Sequence, residues 1–166
     1  MTPALAVTPR RRRYWDERYQ AWTVAVLVGE VHIADGDDDL TTILGSCVAL
    51  CARDRHTGIG GMNHVLLPEG AGRALTQRLI ERLLACGARH DDLEFKLFGG
   101  SRIIGGMSDI GGDNVASVRA YLAGHGFTIA AADVGGTDAR RLRYQPRTGR
   151  TMLQRLPLSA VETEDP

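Results

Sequence analysis

Aromatic side chains are scarce in this 166-residue chain: three Phe, two Trp and four Tyr. The core should therefore be aliphatic, and 20 glycines should let the backbone turn tightly and often. Net charge is missing too, with 20 Lys and Arg against 20 Asp and Glu. That balance argues against general nucleic-acid binding, which needs a basic face. Only three cysteines are present, Cys47, Cys51 and Cys86. So small and odd a number makes no disulfide framework, and a reducing cytoplasm is the expected setting. Two cysteines four positions apart in one strand would lie roughly 13 Å from each other, beyond the reach of a bridge.

Other absences remove further classes. No apolar run approaches the length of a membrane span. Residues 21–28 come closest, but Asp16 and Glu17 interrupt the approach and no clean cleavage site follows. The Arg10–Arg13 cluster ahead of that run therefore does not read as a twin-arginine signal. No phosphate-binding glycine pattern occurs, so nucleotide binding is not expected. Cys47, Cys51, His56 and His64 do not follow the spacing of a zinc ribbon or finger, so no metal and no other cofactor is expected. The run Asp35-Gly36-Asp37-Asp38-Asp39 lacks the later Gly and Glu of a calcium loop and reads as a solvated turn. The length suits one domain.

What is there centres on Leu40–Cys51, an apolar run broken by Gly45-Ser46 and then carrying Cys47. In a strand, Val48 and Leu50 would face one side, and Cys47, Ala49 and Cys51 the other. A second run, Gly58–Pro68, contains Asn63 and His64, and Asp54–Thr57 between the two runs has turn composition. A hairpin closed by those four residues pairs positions summing to 111 and sets Cys47 opposite His64. Opposed Cβ atoms sit about 4.5–5.5 Å apart, so a thiol and an imidazole could meet. A loop one residue longer would put them on opposite faces. A buried Cys with a hydrogen-bonded His nearby is the alternative that spacing alone leaves open.

Residues 1–20 read as a flexible basic tail, 21–156 as the folded domain and 157–166 as an acidic disordered tail. Residues 21–28 and 30–34 look like strands around Gly29. After Pro68, residues 69–72 read as a loop, and Ala74–Cys86 as an amphipathic helix burying Leu75, Leu79, Leu83 and Cys86. Gly87 should cap it. Leu93–Phe98 reads as a strand, and a second helix should begin at a cap on Asp113 or Asn114. Phe127–Val134 is a further strand, and Arg141–Gln145 with Thr151–Leu156 a closing hairpin. The Gly-Gly pairs read as turns, or as places where a substrate helix approaches the backbone closely.

Five blocks then align in order. They are Leu44-Gly45-Ser46-Cys47-Val48, Gly60-Gly61-Met62-Asn63-His64 with Leu67-Pro68, Lys96–Gly100, Ile110-Gly111 with Asn114, and Asp133–Gly136 with Arg140-Arg141. Together they resemble the chemoreceptor glutamine deamidase family, CheD, from about Val26 to Leu156. The resemblance implies an α+β fold, with mixed β-sheets in a sandwich-like core flanked by helices. It implies a cysteine nucleophile, a histidine base and a threonine six residues before the cysteine: Cys47, His64 and Thr41, with Thr42 as the neighbour that takes over if the loop is displaced by one. Backbone N–H groups at Cys47 and around Gly45-Ser46 would hold the oxyanion.

The implied activity is conversion of chemoreceptor glutamines to glutamate with release of ammonia, in support of chemotactic adaptation. The implied partners are the receptors' cytoplasmic helices and a CheC-type phosphatase, and a cytoplasmic monomer is expected. The shortened segment after Pro68 departs from the family pattern. It leaves a non-catalytic adaptor that docks receptors or the phosphatase as the alternative.

Overall fold

The computed structural model describes residues 12–66, 71–102 and 109–157. Ten strands form two five-stranded sheets. The first sheet takes β1 (Arg13–Asp16), β2 (Ala21–Ala25), β4 (Asp39–Leu44), β9 (Ala139–Gln145) and β10 (Arg150–Leu156), in that order. The second takes β3 (Val31–Ile33), β6 (Gly60–Asn63), β5 (Val48–Asp54), β7 (Leu93–Gly99) and β8 (Ile129–Val134). Neighbours are antiparallel except β2 with β4 and β7 with β8. The α+β sandwich-like class implied by the resemblance is the one observed.

The second sheet is the middle of three layers. Ala49, Cys51, Met62 and Phe98 face the first sheet and meet Val24, Leu40, Leu44, Leu142 and Tyr144 there. Val48, Leu50, Ala52, Val65 and Leu97 face the helices α1 (Ala71–Ala85) and α2 (Ile110–Gly124). Strand β5 is therefore covered on both faces, which is why it reads Val-Ala-Leu-Cys-Ala with no polar alternation. Its expected division, even positions one way and odd positions the other, holds.

Helix α1 buries Leu75, Thr76, Leu79, Ile80 and Leu83 at three- and four-residue intervals. Fully burying a leucine there contributes about 1.5–3 kcal/mol. The helix stops at Ala85 because Gly87 turns left-handed at φ 104°. The N–H of Ala88 then donates to Leu83 O, and that of Gly87 to Leu84 O, the paired bonds of a Schellman end. This corrects the expectation for Cys86, which sits in that turn, exposed, and not in the core. Helix α2 starts earlier than expected. Asp109 caps it by accepting from Gly112 N at 2.9 Å, so neither Asp113 nor Asn114 is the cap.

The basic tail is also corrected. Residues 13–16 form β1 and pair with β2 in antiparallel register. Arg13 reaches Asp38 at 2.8 Å and lies over the Trp22 ring, and Arg12 pairs with Glu30. The acidic run is correspondingly not a solvated turn throughout. Asp38 and Asp39 are buried, and Arg143 pairs with Asp39 at 2.7 Å across the sheet. Expectations for residues 1–11, 67–70, 103–108 and 158–166, including the loop after Pro68 and the acidic tail, lie outside the described residues.

Candidate active site

Strand β4 runs into the turn Gly45-Ser46-Cys47 and out along β5. Three successive carbonyls of that turn are held from one side. Ser101 N donates to Gly45 O at 3.0 Å, Asn114 Nδ2 to Ser46 O at 2.9 Å, and Gly100 N to Cys47 O at 2.8 Å. In a trans peptide the N–H points opposite to the carbonyl of the same unit. The N–H groups of Ser46, Cys47 and Val48 are therefore turned away from Gly100, Ser101 and Asn114. Val48 N–H is used by Val65 O at 3.0 Å.

Glycine at 99 and 100 allows this close approach. Both have positive φ, and a Cβ on Gly99 would stand 2.3 Å from Cys47 O. The tight approach these glycines permit is made by the chain's own backbone, not by a substrate. Behind them, buried Arg140 donates to Ser101 Oγ at 2.7 Å and pairs with Asp133 at 2.9 Å. Ser101 Oγ in turn donates to Asp138 O at 2.5 Å. The Asp133–Gly136 and Arg140 blocks thus brace the segment that braces the cysteine turn.

Across from the turn, His64 projects toward the first sheet. Its backbone is held by Glu30 O and Gly29 N. Its Nδ1 lies 2.9 Å from Thr42 Oγ1 and 3.1 Å from Val26 O, and Thr42 Oγ1 donates its own proton to Val26 O at 2.7 Å. A carbonyl only accepts, and the single hydroxyl proton of Thr42 is already committed. Nδ1 must therefore carry the proton and donate to both oxygens. That fixes the tautomer and leaves the lone pair on Nε2, which has no hydrogen-bond partner among the described residues. Burial pushes the His64 pKa below the usual imidazole value, against the opposing pull of Val26 O and Glu30. Burial therefore favours the neutral ring.

This geometry corrects the choice of threonine. Leu40 and Leu44 are wholly buried in the inter-sheet core, so Thr42, between them, faces inward with them. Thr41 faces the other way and donates to Leu142 O at 2.8 Å. The hydroxyl at the imidazole is Thr42's.

The hairpin register is corrected as well. Asp54 is buried and accepts from the N–H groups of His56, Thr57 and Arg89 at 2.8, 3.0 and 2.8 Å, which tightens the turn. Asp54 N–H bonds Ile59 O, so the four loop residues are 55–58, one later than expected. Paired positions sum to 113, as in Cys51 with Met62 and Val48 with Val65. His64 then falls opposite Ala49, and Cys47 is its diagonal neighbour on the same face. A diagonal pair is about 7–8 Å apart at the backbone, a span that aromatic and long side chains cross, and among the described residues no hydrogen bond joins Cys47 to His64 Nε2.

Cys47 is half-buried. Burial pushes its thiol pKa up, partly offset by its own backbone N–H. Burial thus favours the uncharged form of both groups. Cys51 is fully buried, and burial drives its thiol pKa far above the usual range, which leaves it inert. Asn63 plugs the β5–β6 ladder by accepting from Leu50 N at 2.9 Å. Sequence reasoning named Asn114 as a helix cap and as part of one family block, and missed it as the group on Ser46 O. Among the described residues no group of three or more His, Cys, Asp or Glu is arranged to hold a metal ion.

Comparison with known proteins adds an independent line. A family model described as CheD chemotactic sensory transduction matches residues 71–155. A relative from Halorhodospira halophila is 37% identical over 161 residues, covering 87% of this chain and 74% of its own. One from Bordetella petrii is 42% identical over 159 residues, covering 87% and 71%. One from Caulobacter vibrioides is 42% identical over 147 residues, covering 81% and 79%. All three carry the name "Probable chemoreceptor glutamine deamidase CheD".

Proposed function

This chain belongs to the CheD family, and from that premise we propose that Cys47, His64 and Thr42 carry out its reaction. The chain is a protein-glutamine deamidase that hydrolyses the side-chain amide of chemoreceptor glutamines to glutamate and ammonia. As Cys47 Sγ attacks the amide carbon, its proton passes to His64 Nε2. The carbonyl oxygen becomes an oxyanion held by the N–H groups of Ser46 and Cys47. The imidazolium then protonates the departing nitrogen, the C–N bond breaks, and a thioester joins Cys47 to the substrate carbonyl. Water enters, gives a proton to Nε2 and attacks the thioester. Cleavage of the C–S bond yields glutamate and restores the thiol.

The single observation that carries this reading is the placement of His64 Nδ1 against two oxygens, Thr42 Oγ1 and Val26 O. Thr42 and Val26 O take the Nδ1 proton, so Nε2 is left basic. Thr42 orients and stabilises the ring without itself being deprotonated, the part a third triad member plays elsewhere. The reading carries with it a reducing, cytoplasmic setting in which Cys47 stays a thiol.

The test is to incubate the protein with cytoplasmic fragments of its cognate receptors and measure intact mass. Each converted site gains one dalton. Cys47→Ala should abolish the gain while circular dichroism stays unchanged. A wild type that binds fragments but never shifts their mass would leave the adaptor reading in its place.

A further inference from the structure

Large apolar side chains are not spread evenly over this surface. Nine are exposed among the described residues, and five of them, Tyr14, Tyr19, Leu27, Val28 and Ile43, line one groove of about 1030 Å³. A patch of this kind on a soluble domain marks an interaction site more often than chance. The groove runs over the outer face of the first sheet, where Thr41, Ile43, Arg141, Arg143, Met152 and Gln154 share one side of β4, β9 and β10. His64 lines it too, together with the 26–28 segment that holds the ring through Val26 O. Two guanidinium groups, Arg18 and Arg141, border it together with Arg143, whose charge is already paired with Asp16 at 3.0 Å and Asp39 at 2.7 Å. Arg143 stacks on Tyr19 at 3.9 Å, so apolar and cationic surface alternate within it.

We propose that this groove seats the chemoreceptor helix that bears the reacting glutamine, with its apolar side on Tyr14, Ile43 and Val28 and its acidic side toward Arg18 and Arg141. The inference rests on the deamidase reading and names the docking surface of that same site. Its size is at or above the upper end of small-ligand pockets, about 300–1,000 Å³, and suits a segment of polypeptide. An amphipathic helix laid in a groove is a recurrent recognition mode. Continuity favours it as well, because a helix in the groove passes the one residue, His64, that belongs to both the groove and the candidate dyad.

The experiment measures binding apart from chemistry. In a Cys47→Ala background, titration calorimetry with a receptor cytoplasmic fragment gives the parent affinity. Ile43→Glu should weaken it at least tenfold, and Arg18→Glu severalfold with a shallower salt dependence. Leu84→Glu, an exposed leucine on α1, should leave it unchanged. With Cys47 restored, Ile43→Glu should lower turnover of the fragment, and Leu84→Glu should leave it as it was. If Ile43→Glu binds like its parent, or if the parent does not bind the fragment at all, the proposal is overturned. It is also overturned if Ile43→Glu abolishes only self-association in the ultracentrifuge, which would assign the groove to a second copy. Groove-dependent binding without any one-dalton gain would sustain the groove and remove the catalytic reading instead.

Discussion

Thr42→Val deletes one hydroxyl and keeps the volume of the side chain. In the wild type that hydroxyl accepts from His64 Nδ1 at 2.9 Å and donates to Val26 O at 2.7 Å, both inside the core. After substitution the ring retains only the longer contact to Val26 O at 3.1 Å. The tautomer should persist, but its orientation loses one of two restraints. A net hydrogen bond of this kind is worth about 0.5–1.5 kcal/mol, and a buried group left partly unsatisfied costs about 1–3 kcal/mol. A loss of about 1.5 kcal/mol from the transition state lowers kcat roughly tenfold. Thr41→Val is the matched control, because Thr41 donates to Leu142 O on the other side of the strand. It should change kcat less than twofold. The assay is single-turnover mass analysis of a receptor fragment at saturating enzyme. If Thr41→Val removes activity and Thr42→Val does not, the assignment of the imidazole's partner is refuted.

Three further outcomes follow from the same geometry. Asn114→Leu frees Ser46 O and slackens the turn that aims the Ser46 and Cys47 N–H groups, so kcat should fall about tenfold with KM little changed, as kinetics on the fragment would show. The pH profile of kcat/KM should stay flat through pH 7, because burial lowers the His64 pKa and raises that of Cys47; the acid limb should begin only below the ordinary imidazole value of about 6.5. Rapid alkylation of Cys47 by iodoacetamide at pH 6 would indicate a thiolate–imidazolium pair and contradict that profile. The backbone N–H groups of Arg89, Thr57 and His56 push the Asp54 pKa down from 3.8 to about 2, against its desolvation. The unfolded chain therefore takes up this proton first, so the stabilisation is whole above about pH 4 and is lost as pH falls toward 2. Asp54→Ala should cost about 1.5–3 kcal/mol in urea unfolding at pH 7 and flatten the acid limb below pH 4.

Much of the site was legible because strand alternation is strict. The odd positions 47, 49 and 51 were placed on one face from spacing, and the structure turns them to the inter-sheet core. The same rule contained the answer for the threonine. Leu40 and Leu44 flank Thr42 at intervals of two, so the core face of β4 could be read from hydrophobicity, whereas the family's six-residue spacing points at Thr41. The hairpin register was missed by a one-residue displacement of the loop. Asp54 looked like a loop residue by composition, yet its carboxylate gathers three N–H groups and stays in the strand. That displacement changes the register sum by two, so face parity survived.

Other misses share a cause: partners distant in sequence. Arg12, Arg13 and the aspartates at 38 and 39 read as solvated charge until the fold pairs them over tens of residues. Asn114 reaches Ser46 across 68 positions, and no local pattern signals it. Cys86 follows Leu83 by three positions and so continues the apolar face of α1 on paper, and the left-handed Gly87 turns it out of the core.

The most direct measurement is to trap the intermediate. Wild-type protein and receptor fragment are mixed, quenched in acid within the first turnover, and weighed intact. The expected species has the combined mass of the two chains less one ammonia, maps to Cys47 on digestion, dissolves in hydroxylamine and is missing from Cys47→Ala. Conversion of the fragment that persists in Cys47→Ala, or a covalent adduct that maps to any other residue, would contradict the mechanism.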